Sequence, residues 1–315
     1  MFGQILASVL TTAFLASVLR ITTPILLAAL ASAVSERSGV PNIGLEGIMM
    51  IAALSGVLFS AWTQSAFIGV MGGALMGTLV GLMMGFFYLR MGTDIILAGI
   101  AVNMLGGGGT VFFLFVFSGQ RGTSSALPSR MIPSLELAFL GDIPILGALA
   151  GQSILTYIAF GCVALVYLLL YKTTLGLRLR AVGENPQAAD SVGLSVARVR
   201  YIALGISGFL AGLGGAYMSM FAAMGFSTDM VAGRGFIALA AQAMGRGEPL
   251  GTMLSSLLFG GADALSNHMQ GTGLPSQLVA TLPYVITVIG LAIYSARTVK
   301  RVRRARKMHT PAQPA

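Results

Sequence analysis

An all-α, polytopic transmembrane bundle of about ten spans is the fold class that this sequence predicts, and three observations predict it. Apolar residues make up 56% of the chain and charged residues 9%, whereas a soluble domain carries roughly 25% charged residues. Mean hydropathy is +0.85, and the apolar material runs over nearly the whole length rather than forming one anchor. The positive charge is uneven: much of the net +9 sits in a cluster from Arg297 to Lys307, directly after the last apolar run. Positive-inside topology gives a cytoplasmic segment that placement. It argues for contact with anionic lipid and against a nucleic-acid partner.

The chain divides into one membrane domain, residues 1–300, and a basic cytoplasmic tail, 301–315. No basic residue precedes the first apolar run, so the charged region of a signal peptide is missing and the whole chain is expected to be mature. Helical spans need about 20 apolar residues, fewer where they are broken or covered by neighbours. Candidates lie at 5–19, 21–35, 48–62, 66–89, 95–117, 148–171, 201–222, 234–246, 252–268 and 276–296. With 172–200 and the tail inside, Arg20, Arg121, Arg130 and Arg234 are the basic residues left outside. That bias predicts both termini on the cytoplasmic side of the membrane.

Taken in order, the first feature is Ser38–Gly47, which puts Pro41, Asn42, Glu46 and several glycines between apolar runs. Irregular backbone at membrane depth is tolerated where it is buried in protein or lines a cavity, so a broken or re-entrant helix is expected here. The span 66–89 carries Gly69, Gly73, Gly77, Gly81 and Gly85. Such a stripe lets two helix backbones approach closely. Gly205, Gly208, Gly212 and Gly215 repeat the pattern. Thr93-Asp94 opens the next span as a cap, and Gly106–Gly109, after Asn103, is a second candidate break.

Residues 118–147 are rich in Gly, Ser and Pro and read as one long exterior segment with room for a short surface helix. They fit either a docking place for a binding protein or a passive connector. The longest polar interval is 173–200. Asn185 before Pro186 reads as a turn, and Pro186 can open a helix because its missing N–H would be unpaired there. A short helix is expected from about Pro186 to Val192, ended by Gly193. By composition it is either a contact for a soluble partner or a solvated loop. Gly233-Arg234-Gly235 and Gly245–Pro249 bracket a half-length or re-entrant helix containing Gln242.

Enzymatic motifs are scarce. No lysine follows a glycine, so a phosphate-binding P-loop is excluded, and with it ATP hydrolysis by this chain. Cys162 is the single cysteine and His268 and His309 do not cluster, which leaves no disulfide within the chain and no metal spacing. No catalytic residue is assigned. Glu46, Asp94 and Asp263 lie in or beside apolar runs, where an ionisable group is expensive and usually functional. Glu46 either bonds nearby backbone N–H groups or belongs to a transport path. Two transporter classes remain: an ion-coupled secondary carrier driven through intramembrane acids, and a permease that borrows separate ATPases.

SERSGVPNIGLEGIMM (35–50), GLRLRAVGENPQAADSVGL (176–194) and GRGFIALAAQAMGRGEPLG (233–251) resemble the signatures of the nucleoside and simple-sugar ABC importer permeases. These belong with the ribose and branched-chain amino-acid permeases, and the resemblance spans roughly 20–300. It implies a type II importer architecture and a plasma-membrane protein similar to the smaller of two permease partners. Partner ATPase subunits would use ATP and Mg, with no cofactor bound by this chain. A second permease, paralogue or self, and an extracytoplasmic substrate-binding protein complete the implied assembly. The resemblance makes Glu184, Asn185, Pro186, Ala188 and Ala189 a coupling helix, its alanines fitting a groove on the ATPase. Nucleosides are the expected cargo, with simple sugars the alternative. Asn42, Glu46, Asn103 and Gln242 are candidates for the path, with Phe112, Phe113 and Phe115 as walls. For any one of these residues, packing or an interhelical hydrogen bond is the favoured alternative.

Overall fold

The structure, a computed structural model, describes residues 11–135, 147, 150–270 and 285. All of 276–296 but residue 285, the basic tail and most of 136–149 lie outside the described residues.

The order of elements is α1 (Thr12–Glu36), α2 (Leu45–Thr63), α3 (Ala66–Leu89), α4 (Ile95–Ser118), β1 (Ser134–Leu135), β2 (Gln152–Ser153), α5 (Ile154–Lys172), α6 (Thr174–Glu184), α7 (Pro186–Ser191), α8 (Val196–Tyr217), α9 (Arg234–Met244) and α10 (Pro249–Met269). A wider-wound turn, Met218–Ala222, extends α8. Among the described residues, α1 to α5 and the extended α8 are long and apolar enough to cross a membrane. Helix α9, with 11 residues, is half-length.

Helix α8 is the axis of the bundle, packed along α3, α1 and α2. The middle of α1, Ile25 to Ala31, is completely buried. The glycine stripe works as its spacing predicts. A Cβ on Gly77 would collide with the carbonyl of Gly208 and stand 2.7 Å from Gly212 Cα. Where no hydrophobic effect acts between helices in lipid, such close contact supplies the association energy. Ser219 adds a cross-helix bond, its hydroxyl donating to the Ala53 carbonyl at 2.8 Å. Such bonds are worth about 0.6 kcal/mol in membranes.

Several sequence expectations are corrected. The candidates 5–19 and 21–35 are one helix over their described part, running unbroken through Arg20 and Pro24. A break there would strand backbone N–H and C=O groups in a medium that cannot bond them. For the same reason Gly106–Gly109 does not break α4, which is continuous. Gly106 meets the Gly47 backbone closely, while Gly107 and Gly108 have nothing near a built Cβ. Phe112 and Phe115 are 61% and 43% exposed, whereas Phe113 lines an apolar cavity of about 530 Å³ with Ile51, Leu58, Val80, Leu105 and Thr110. The interval 173–200 is mostly helical: α6 precedes the expected short helix, and α8 begins at Val196 rather than 201. The described part of 118–147 forms no helix up to Leu135. It is pinned instead by an antiparallel β1–β2 pair, by a Thr123–Ser227 bridge and by Ser60, whose hydroxyl donates to the Arg130 carbonyl at 2.8 Å.

Candidate functional site: a broken helix joined to an exposed arm

The break forms as expected. Helix α1 ends at Glu36, a turn follows through Gly39 at φ +77°, and α2 begins at Leu45. Two amides stitch this irregular backbone. Asn42, fully buried, accepts from Gly44 N at 3.1 Å and donates to Ser207 of α8 at 2.9 Å. Asn103 of α4 accepts from Gly47 N at 2.8 Å and donates to the Ile43 carbonyl at 3.0 Å. Both ends of the Asn103 amide and the oxygen of Asn42 thus satisfy backbone groups of the break that no helix serves, while the Asn42 nitrogen ties the break to α8.

Glu46 reaches across the sequence to the half-helix. Its carboxylate accepts from Gly233 N at 2.8 Å and Gly235 N at 2.7 Å, the N-terminus of α9. Backbone capping, one of the two roles open to it, is the arrangement present. Asp94 caps α4 as expected, accepting from Ile96 N at 2.8 Å. Asp263 pairs with Arg234 at 3.2 Å, tying α10 to the start of α9.

Two cavities flank the α1–α9 seam. One of about 310 Å³ is lined by Ser17, Arg20, Pro24, Met230 and Arg234. The other, about 430 Å³, is lined by Ala33, Glu36, Arg37, Gln242 and Arg246. Gln242 is therefore the path candidate that borders open space, although its residue is only 4% exposed. Between Pro24 and Ala33 roughly 13 Å of helix separates the two cavities, and Ile25 to Ala31 is fully buried there. No continuous channel crosses the described residues along this seam.

The arm, α6 and α7, packs against the break. Asn185 ends α6 and opens α7, accepting from Ala188 N at 3.0 Å with Pro186 in the first turn. Gly193, at φ +84°, closes α7. Glu184, Asn185 and Ala188 are exposed and Pro186 is half-buried. Ala189 is only 4% exposed, so of the two alanines Ala188 faces outward and Ala189 packs inward. The Gly183 backbone sits directly on the Arg37 carbonyl, a contact that leaves no room for a Cβ. Arg200 reinforces the joint by donating to the Ser38 carbonyl at 3.4 Å and the Tyr88 hydroxyl at 3.3 Å.

Two residues escaped the sequence reading. Val192 at the end of α7 is 75% exposed and Leu177 of α6 is 61% exposed. The available signal was an apolar residue in an otherwise polar run, with Leu175, Leu179 and Val182 at helical spacing beside it.

Residues 14–291 match the family described as branched-chain amino acid transport system / permease component. The chain is 36% identical to nucleoside ABC transporter permease protein NupC of Lactococcus lactis subsp. cremoris (strain MG1363), covering 90% of this chain and 92% of that protein. It is 34% identical to guanosine ABC transporter permease protein NupQ of Bacillus subtilis (strain 168), covering 87% and 89% respectively. The solved structure of PsaBC from Streptococcus pneumoniae in complex with Fab shares the fold, with a TM-score of 0.53 and 14% identity over 92% of this chain and 95% of that one. By the extent of these matches, the chain belongs to the branched-chain amino acid transport system permease family.

Proposed function

We infer that this chain is the transmembrane permease subunit of an ATP-driven importer and that it carries nucleosides. The observation that carries the inference is an exposed short helix, α7, whose supporting helix α6 sits on the α1–α2 break through Gly183 and Arg37. Force applied to α7 reaches the α1–α2 segment, where the backbone leaves helix between two apolar helices. The nucleoside assignment rests on the two relatives, a nucleoside and a guanosine ABC transporter permease.

In this reading the membrane domain spans 1–300 and 301–315 is a tail. The coupling interval 173–200 and both termini face the cytoplasm, and 118–147 faces outward. Glu184, Asn185, Pro186 and Ala188, together with Val192, meet an ATPase subunit, while Ala189 holds α7 to the arm. ATP and Mg belong to that partner. A second permease and an extracytoplasmic binding protein complete the assembly in the plasma membrane. Gln242 borders the path, and Asn42, Asn103 and Glu46 shape the break beside it. The two cavities separated by α1 suit alternating access, in which one side opens as the other closes.

An ion-coupled carrier finds less support. Glu46 and Asp94 are engaged by backbone N–H groups and Asp263 by Arg234, which leaves these acids poorly placed to exchange an ion.

The test is uptake of labelled uridine by cells expressing this chain with its ATPase, binding protein and second permease. Uptake that guanosine competes and ribose does not, and that an ATPase-dead partner abolishes, is expected. Uptake surviving the dead ATPase refutes the reading, and ribose-blocked sugar import without nucleoside uptake moves the cargo to simple sugars. Replacing Glu184-Asn185-Pro186 by Gly-Ser-Gly should abolish import while leaving membrane insertion intact.

A further inference from the structure

Half-helix α9 is held at both ends by the two charged residues that bracket the α1–α2 break. At its N-terminus the Glu46 carboxylate takes the N–H groups of Gly233 and Gly235, at 2.8 and 2.7 Å. Just past its C-terminus Arg37 donates to the Arg246 carbonyl at 3.1 Å and the Gly247 carbonyl at 3.4 Å. A helix is partially positive at its start and partially negative at its end. Each side chain therefore meets the pole that attracts it, and interchanging the two would make both ends repulsive.

The geometry leaves little slack. A Cβ on Gly235 would stand 2.6 Å from Glu46 N and 2.7 Å from Glu46 Cα, so α9 touches the break backbone to backbone. Contacts with backbone cannot be relieved by rotating a side chain. The same segment carries the arm: Gly183 seats on the Arg37 carbonyl, and Arg37 also donates to Tyr171 at 3.5 Å beneath the Arg180 guanidinium. Arm, break and half-helix are thus joined through Arg37 and Glu46, one at each end of α9.

We propose that Arg37 and Glu46 are positioning residues that clamp α9 to the break, so that movement of the arm is delivered to the half-helix as one rigid body. This rests on the ABC permease reading above. Neither side chain needs to touch the transported molecule. Gln242, at the cavity beside Arg37, is carried with α9.

The experiment measures labelled guanosine imported per ATP hydrolysed, using the complete assembly in proteoliposomes. The variants are E46Q, R37Q and R37Q/E46Q. Coupling residues typically modulate by factors of a few, so each single variant should lower import per ATP by about five-fold while ATP turnover stays near wild type. The double variant should be worse than either single, because each side chain holds a different end of α9 and one tie survives in each single variant. In E46A, added formate should restore part of the import by occupying the vacated helix N-terminus.

An unchanged import-to-ATP ratio in both single variants overturns the clamp. So does a proportional fall of import and turnover in assemblies that elute intact, since that is the behaviour of a merely structural role. If E46A fails to assemble, the near-isosteric E46Q decides. Wild-type import that persists with a dead ATPase overturns the underlying permease reading instead, so the two failures are separable.

Discussion

Replacing Gly77 by alanine adds one methyl group at a close crossing of α3 and α8. The new Cβ would collide with the Gly208 carbonyl and stand 2.7 Å from Gly212 Cα and 3.1 Å from Gly212 N. All of these atoms are backbone, so relief requires α3 and α8 to separate by about an ångström, which opens the seam above and below. Overpacking of this kind costs about 1–3 kcal/mol, while Gly to Ala inside a helix returns about 0.5–1 kcal/mol. The net expectation is a loss of about 1–2 kcal/mol. Gly108→Ala is the matched control, because a Cβ there meets nothing within 4 Å and only the helix gain remains. Apparent melting temperatures of the detergent-solubilised variants should then fall for G77A and hold or rise for G108A. At about 2–4 °C per kcal/mol the gap between them is several degrees. Equal melting of the two would refute the claim that backbone contact at the glycine stripe holds these helices together.

Asn103→Ala leaves Gly47 N and the Ile43 carbonyl without their partner, and each buried unsatisfied group costs about 1–3 kcal/mol. Asn103→Asp keeps the acceptor alone, so its melting temperature should fall between wild type and N103A. Val192→Ser removes an exposed apolar side chain whose burial against a partner is worth about 1.5–3 kcal/mol. Co-purification with the ATPase should drop by about ten-fold or more with no change in melting; unaltered ATPase recovery would remove Val192 from the interface. Asp94→Ala deletes the cap on α4 and should destabilise by about 0.5–2 kcal/mol, read as a lower melting temperature with import per ATP unchanged.

Composition alone determined that this chain lives in a bilayer, because so few charges cannot cover a soluble surface. Local spacing determined the features whose partners lie within a turn or two: Asp94 as a cap, Asn185-Pro186 opening α7, Gly193 closing it, and α9 bracketed by glycines. The every-fourth-residue glycines announced a close crossing, since that face can lie against nothing but another backbone. Where breaks occur was only half legible. Gly106–Gly109 is the more glycine-rich of the two candidate breaks, yet in α4 each backbone group finds its partner four residues away. In the α1–α2 segment Pro41 withholds a donor, and Asn42 and Asn103 supply replacements from a distance. Helix α6 hid in a polar run because its short apolar face is covered by α5 and the break rather than by a long partner. The use of Arg37 and Glu46 was legible to no local rule. Their partners lie near residues 233–247, and only the folded chain decides which helix pole arrives beside which charge.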